Sequence, residues 1–315
     1  LAGCINSDTH EPHRAIDLEF NGGPVNGADY FSALHMCNIV NRYSDGKYNC
    51  IARASPGPVA NIDRIMAGAV QFGMSRSDYV WSAVHGTGIW EDDAQPGLRA
   101  LFTVHNVAVT LVVRDSSEIY LVTDLAGRRV NLGIPESFGQ QNAVELLERS
   151  GLDVKDDIEP SGLLPKEAAR ALAADEIDAF FVSAASPDPA ITLAAELTDI
   201  RLLPLSSAEV IQLVSETPWL SYIDITTGHY RPFDPLDEVF WTWSVPSYGY
   251  ESTVIVDANL PEEVVNDVTG FVFHHLNELR SDHPFFYRLD YDEMRDELMA
   301  PIHPGAVGEW ELVDP

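Results

Sequence analysis

Three times within residues 15–84 the chain passes from a short apolar run into a polar loop and then into an amphipathic helix. Runs 15–20, 50–54 and 70–74 read as strands, since each is apolar or β-branched and bounded by turn residues. The first helix carries Tyr30, Ala33, Leu34, Cys37 and Val40 on one face at i, i+3, i+4, i+7 spacing. The second has Pro58 in its first turn, Val59, Ile62, Ile65 and Met66 turned inward, and Gly68 as its stop. The third runs through Val80, Trp81 and Val84. Such alternation predicts an α/β fold, a parallel sheet with helices on its faces. Ligands of these sheets lie beyond the C-terminal ends of strands. Loops 21–29, 55–61 and 75–78 occupy that position, and all three are rich in Ser, Asn, Gly and Asp. A glycine loop leading into a helix leaves backbone N–H groups unpaired under the positive end of the helix dipole, which suits an anion or a polar small molecule.

The pattern recurs further on. Residues 101–113 are almost continuously apolar or β-branched around His105 and Asn106, and read as two strand segments passing from one domain to another. A strand at 130–133 leads into loop 134–140 and a helix through Ala143, Leu146 and Leu147. A helix at 165–173, a strand at 179–183, a loop at 184–187 and a strand at 200–203 follow. Two similar α/β units, each with polar loops at strand ends, predict two lobes around a ligand cleft. Residues 219–250 read as aromatic and irregular, with a loop at Tyr230-Arg231-Pro232. Runs 239–245 and 252–256 return toward the first lobe, and a helix is expected over 261–279 with Val264, Val265, Val268, Phe271 and Val272 inward.

The 315 residues suffice for two domains, and their formal net charge is -30. A chain so acidic has no basic patch with which to release counterions from nucleic acid. Any anionic ligand must be held by local dipoles or one specific cation against an adverse field. The acidity reads most simply as a solvated surface suited to a salty medium, where charge is screened over about 10 Å or less. No apolar run reaches the roughly 18 residues of a membrane span. Leu1-Ala2-Gly3-Cys4 looks like a bacterial lipobox, cut before a cysteine that then carries lipid. On that reading the numbering begins near the end of an export signal. Cys4 is then the lipidation site, residues 1–13 are a tether, and the protein is periplasmic or otherwise extracytoplasmic. His10 and His13 read as part of that tether rather than as metal ligands. Cys37 and Cys50 are able to form a disulfide in such an oxidising space.

Several chemistries have no signature here. Gly-x-Ser-x-Gly, His-Glu-x-x-His, Cys-x-x-Cys and Walker motifs are absent, and Gly22-Gly23 with Gly27 does not match dinucleotide-binding spacing. No nucleophile–base pair stands out, so no enzymatic activity and no cofactor is expected. Asp290, Asp292 and Glu293 read as a solvated acidic helix end rather than a calcium site, and no metal is expected.

The ordered motifs resemble the TAXI subgroup of extracytoplasmic solute-binding proteins of TRAP transporters. They are Gly22-Gly23 to Tyr30, Ser55 to Asn61, Phe72 to Asp78, Arg99-Ala100-Leu101, Asp124 to Val130, Gly133 to Gly139, Ile177 to Phe181, and a terminal His303-Pro304-Gly305-Ala306. The resemblance spans nearly the whole chain. It implies a type II-like periplasmic binding protein, two α/β lobes joined by hinge crossovers. Lobe 1 would be discontinuous, residues 14–106 plus 246–315, and lobe 2 would span 107–245. It implies a monomer that captures a small carboxylate or amino acid (glutamate, glutamine, 2-oxoglutarate or similar) and delivers it to TRAP permease subunits. A sensor presenting its closed form to a membrane receptor is the second reading. The matching ligand positions are Asn21, Gly22, Gly23, Asp29, Tyr30, Ser55, Asn61, Arg76, Ser77, Asp78, Ser137, Gly139, Gln140, Ser183 and Ser186. Arg76 stands where the family pattern has Gln. It is expected either to grip a ligand carboxylate with its guanidinium fork or to pair with Asp78 or Asp29 at the cleft edge.

Overall fold

The computed structural model describes residues 14–230, 244–287 and 289–312. Cys4, the 1–13 tether, Arg231 and Pro232, and run 239–243 with Trp241 lie outside the described residues. Ten strands form one mixed sheet: β1 (Ile16–Asn21), β2 (Tyr48–Arg53), β3 (Phe72–Arg76), β4 (Leu98–Arg114), β5 (Arg129–Asn131), β6 (Glu159–Ser161), β7 (Ala179–Ala184), β8 (Ile200–Leu202), β9 (Ser221–Thr226) and β10 (Ser244–Asp257). The helices are α1 (Ala28–Tyr43), α2 (Pro58–Met66), α3 (Ser77–His85), α4 (Phe138–Arg149), α5 (Pro165–Ala173), α6 (Pro189–Leu197), α7 (Ala208–Glu216), α8 (Glu262–His274), α9 (Leu276–Asp282) and α10 (Pro304–Leu312).

The sheet order is β2-β1-β3-β10-β4-β7-β5-β6, with β8 on β4 and β9 on β10. β1 pairs in parallel with β2 and β3, and β5 in parallel with β6 and β7. The long strands β4 and β10 run antiparallel through the middle. Residues 98–108 of β4 lie against β10, and residues 108–113 lie against β7. Likewise residues 252–255 of β10 pair with β3, and residues 244–249 pair with β9. Each long strand therefore leaves one set of partners and enters the other, and this pair of crossovers joins two α/β lobes. At the crossing Gly249 lies so close to β4 that a Cβ there would stand 2.2 Å from the Val107 carbonyl oxygen.

The apolar core divides accordingly. One pair of clusters combines the N-terminal elements with β10 and α8, through residues such as Leu18, Phe72, Val254 and Phe273, or Ile62, Val80 and Ile255. The other pair draws on the middle of the chain, including Val109, Leu146 and Tyr250, or Val112, Leu172 and Ile223. A disulfide joins Cys37 of α1 to Cys50 of β2 across a Cα–Cα distance of 5.0 Å.

Four expectations from the sequence change. Run 101–113 is part of one unbroken strand of 17 residues, bulged rather than interrupted, because β4 changes partners without leaving the sheet. The stretch 219–250 contains β9, with alternate residues buried, and the start of β10. The helix expected over 261–279 is broken at His275, whose φ and ψ of -113° and 24° leave the helical range. The third strand begins at Phe72 and carries Arg76 as its last residue.

Candidate functional site

The first polar loop is held from two sides. Ser55 Oγ donates to the Gly22 carbonyl at 2.8 Å. Asn61 Nδ2 donates to the same carbonyl and to the Met74 carbonyl. Ser55 and Asn61, expected at the ligand, therefore spend these groups tying the ends of β1 and β3 together. Gly22 is required there, since a Cβ would lie 2.4 Å from the Tyr30 Cα. Gly23 donates nothing to this clamp, but its carbonyl accepts from the Ser55 N–H. Asn21 is fully buried at the end of β1, and neither polar atom of its amide has a hydrogen-bond partner among the described residues.

Asp29, in the first turn of α1, ties the loop to both crossover strands. Its Oδ1 accepts from His105 Nε2 of β4 at 3.0 Å and from Ser252 Oγ of β10 at 2.6 Å. Burial opposes the charge on Asp29, but the hydrogen bonds and the nearby His105 and Arg76 outweigh it and hold the carboxyl below its ordinary range. Ser, His and Asp meet here without forming a nucleophile–base pair, because Ser252 and His105 address the same carboxylate oxygen rather than each other.

Arg76 is paired within the chain, with Asp78. β3 ends at Arg76 and α3 begins at Ser77, so Asp78 in the first helical turn folds back toward the strand end. Arg76 Nε and the outer Nη2 each donate to Asp78 at 2.7 Å. The guanidinium carbon sits 3.3 Å from the ring centre of Phe138 in the other lobe, with Tyr79 and Tyr250 at 4.7 and 5.1 Å. Burial works against its charge, and Asp78 more than restores it, so the guanidinium stays protonated. The Nε–Nη2 edge of the guanidinium is engaged by the chain's own carboxylate. Ser77 makes a second bridge: its Oγ donates to the Trp219 carbonyl at 2.8 Å and accepts from the Glu251 N–H at 3.2 Å. The Trp81 and Trp219 rings meet 4.8 Å apart.

On the facing lobe, Ser137 caps α4 by accepting from the Gln140 N–H at 3.3 Å. The Gln140 side chain accepts from the Glu136 N–H, and Gly139 follows Phe138 in the first turn. Tyr250 donates to Asn142 Oδ1, and Asn142 Nδ2 donates to Ser183 Oγ. Ser183 is thus tied back to β10. Ser186 instead meets the Tyr230 hydroxyl at 3.0 Å. The structure brings Arg76, Ser77 and Asp78 against the loop that holds Ser137, Gly139 and Gln140. Tyr30 is half-buried, and Ser186 lies elsewhere.

Ser186 lines a cavity of about 360 Å³ between the lobes. Residues 103–106 of β4, Phe285 and parts of 289–297 wall it from the first lobe, and Ser186 and residues 221–224 of β9 wall it from the second. Glu251 lies at the crossover between them. Its carboxyl is pushed up to about 7, first by burial and then by the nearby charges of Glu297 and Glu293. Of the ligand positions expected from the sequence, Ser186 alone lines this cavity.

A family model described as the NMT1-like family matches residues 20–308. The chain belongs to the NMT1-like family. Its fold is similar to that of the periplasmic sulfonate-binding protein SsuA from Methylobacillus flagellatus KT, at 16% identity, with 94% of this chain and 84% of that one covered and a TM-score of 0.50. The periplasmic aliphatic sulphonate binding protein SsuA from Escherichia coli matches at 15% identity, 95% and 84% coverage and a TM-score of 0.49. Likeness at this identity speaks to fold, and the fold is the α/β architecture of periplasmic binding proteins.

In this member of the NMT1-like family, sequence reasoning missed the residues that join the lobes: Phe138, Tyr79, Trp219, Tyr250, Glu251 and Ser252. Phe138 stood inside a loop already singled out, and His105 was conspicuous as a polar residue in an apolar strand. Period-two alternation through Tyr250, Glu251 and Ser252 was the available signal for the rest, since it sends Glu251 away from the face that Tyr250 and Ser252 share.

Proposed function

We propose that the chain is an extracytoplasmic solute-binding protein that closes its two lobes on a small polar molecule and presents it to a membrane transporter. The observation that carries this reading is the pair of crossover strands between two α/β lobes, with polar strand-end loops meeting across them at Arg76, Asp78 and Phe138. Two strands are enough to hold the lobes together yet permit them to rotate, and contacts made only when both lobes touch a solute would favour the closed form. Family membership supports a solute-binding role. The motif order supports delivery to a TRAP-type permease in particular, with lipidation at Cys4 as the link to the membrane. A small carboxylate follows from the same motif order, but its expected anchor, the Arg76 fork, is engaged by Asp78.

The test is thermal melting of the purified protein against organic acids, amino acids, sulfonates and amines. A specific solute at 100 times its dissociation constant adds about 2.7 kcal/mol of stability, and the melting point rises accordingly. Absence of any saturable shift across all classes refutes the reading. Dependence of uptake on an ion gradient rather than on ATP separates a TRAP permease from an ATP-driven importer.

A further inference from the structure

We infer that the solute is an organic cation, an amine or guanidinium compound several atoms long, with its positive charge in the cavity at the crossover. This rests on the solute-binding reading above and names the class of solute. Asp224, Glu251, Asp290, Glu293, Asp296 and Glu297 all line the cavity, and no lysine or arginine is among its described lining residues. Both lobes contribute to this acidic wall, so a cation placed there would be gripped only when they approach each other. An anion would meet repulsion from both sides.

A second observation points to a ligand independently of the charge. Thr103 lines the same wall and is 6% exposed, and its buried hydroxyl has no hydrogen-bond partner among the described residues. A buried hydroxyl left unpaired costs on the order of 1–3 kcal/mol, and a polar solute is one way to satisfy it. The shape of the cation follows from the spacing of the acids. Among the described residues no group of three His, Cys, Asp or Glu side chains could hold a metal ion. The carboxylates are thus spread around a volume rather than focused on a point, which fits an extended nitrogen compound.

The loop cluster on the other face of the crossover agrees. Arg76 and Asp78 cancel, which leaves Asp29 as the excess charge. Asp29 Oδ1 is occupied by His105 and Ser252. The rings of Tyr79, Phe138 and Tyr250 already surround one cation there, the Arg76 guanidinium, and aromatic faces of this kind attract cations.

Isothermal titration and melting of the full chain with putrescine, spermidine, agmatine and arginine, set against glutamate, 2-oxoglutarate and ethanesulfonate, test the inference. Magnesium chloride at matched ionic strength controls for general screening of the acidic surface. At least one of the four cations is expected to bind saturably. Glu251→Gln, nearly isosteric, is expected to weaken that binding at least tenfold, as is Asp224→Asn, while the surface change Glu209→Gln leaves it unaltered. Binding of an anion alone overturns the inference and leaves the solute-binding reading standing. Cation binding that survives both cavity substitutions overturns the site. Silence from every probe removes both readings together.

Discussion

Replacing Glu251 by Gln should stabilise the solute-free protein, and only above the pH at which this carboxyl ionises. Glu251 lies between the lobes among other acids, and burial raises its carboxyl from the ordinary 4.5 to about 7. Between those two values the folded chain holds a proton that the unfolded chain has released. Stability therefore falls as pH rises through that window, and the full penalty is present above about 7. A rise of this size corresponds to roughly 3 kcal/mol. Gln keeps the shape and hydrogen-bonding reach of the side chain without the charge. At pH 8 the variant should melt higher than the parent by roughly 6 °C, since one kcal/mol moves the melting point of a chain this long by about 2 °C. At pH 4.5 the two should coincide. Differential scanning calorimetry across pH 4.5–8.5, without solute, gives the comparison directly. A variant that is less stable at pH 8, or a difference that does not change with pH, refutes the claim that Glu251 is a buried charge without a compensating cation. Addition of a cation that binds the cavity should invert the order, because the parent gains a partner that Gln cannot hold.

Three other changes probe the frame around the site. Loss of the Cys37–Cys50 bridge by Cys37→Ser with Cys50→Ser releases a loop with a sequence separation of 13, and should cost about 3 kcal/mol; urea unfolding of the two forms measures it, and equal midpoints would show that the bridge constrains nothing. Phe138→Ala removes the ring against which Arg76 rests across the cleft, a contact of about 1–2 kcal/mol where it is desolvated, so the radius of gyration from small-angle scattering should grow; an unchanged value denies the latch. Gly249→Ala forces a methyl onto the Val107 carbonyl and should cost more than 2 kcal/mol or prevent folding, read as soluble yield and urea midpoint; wild-type behaviour would mean the strands separate freely at the crossing.

The α/β class and the two-lobed plan were legible because hydrophobic periodicity is set by burial, and burial follows the sheet. The run at 179–183 is buried along most of its length, and those at 15–20 and 50–54 bury Leu18, Phe20 and Cys50, so each reads as a strand. β9 escaped notice although Tyr222 and Asp224 alternate with buried Ile223 and Ile225. It pairs with β10, the next strand, which begins 18 residues after β9 ends, so no tight turn announces it. β6 is three residues with Pro160 in the middle, too short for any periodicity. The helix expected over 261–279 breaks at His275 although its apolar spacing continues into Leu276 and Leu279, because both helical pieces pack on the same core.

Loop chemistry was a poorer guide to the site than to the fold. Ser55 and Asn61 have the right composition and position for a ligand, yet the Gly22 carbonyl, left without a ladder partner where β1 ends, needs donors more urgently. Arg76 faces a similar demand: a buried guanidinium must have a carboxylate, and Asp78, two residues away on a helix turn, is fixed in reach before any solute arrives. Polar residues at these strand ends are therefore engaged by orphaned groups of the fold itself. On β10 the consequence is geometric. Tyr250 and Ser252 face the Arg76 and Asp29 cluster, and Glu251 between them faces the acidic cavity. One extended strand thus couples the two surfaces without any flexible element, because a shift of β10 that opens the contact at Phe138 must also move Glu251. In the proposed closure, the Phe138 contact and Glu251 would move with the same strand, because the two-residue period of a β-strand places Tyr250 and Glu251 on opposite faces.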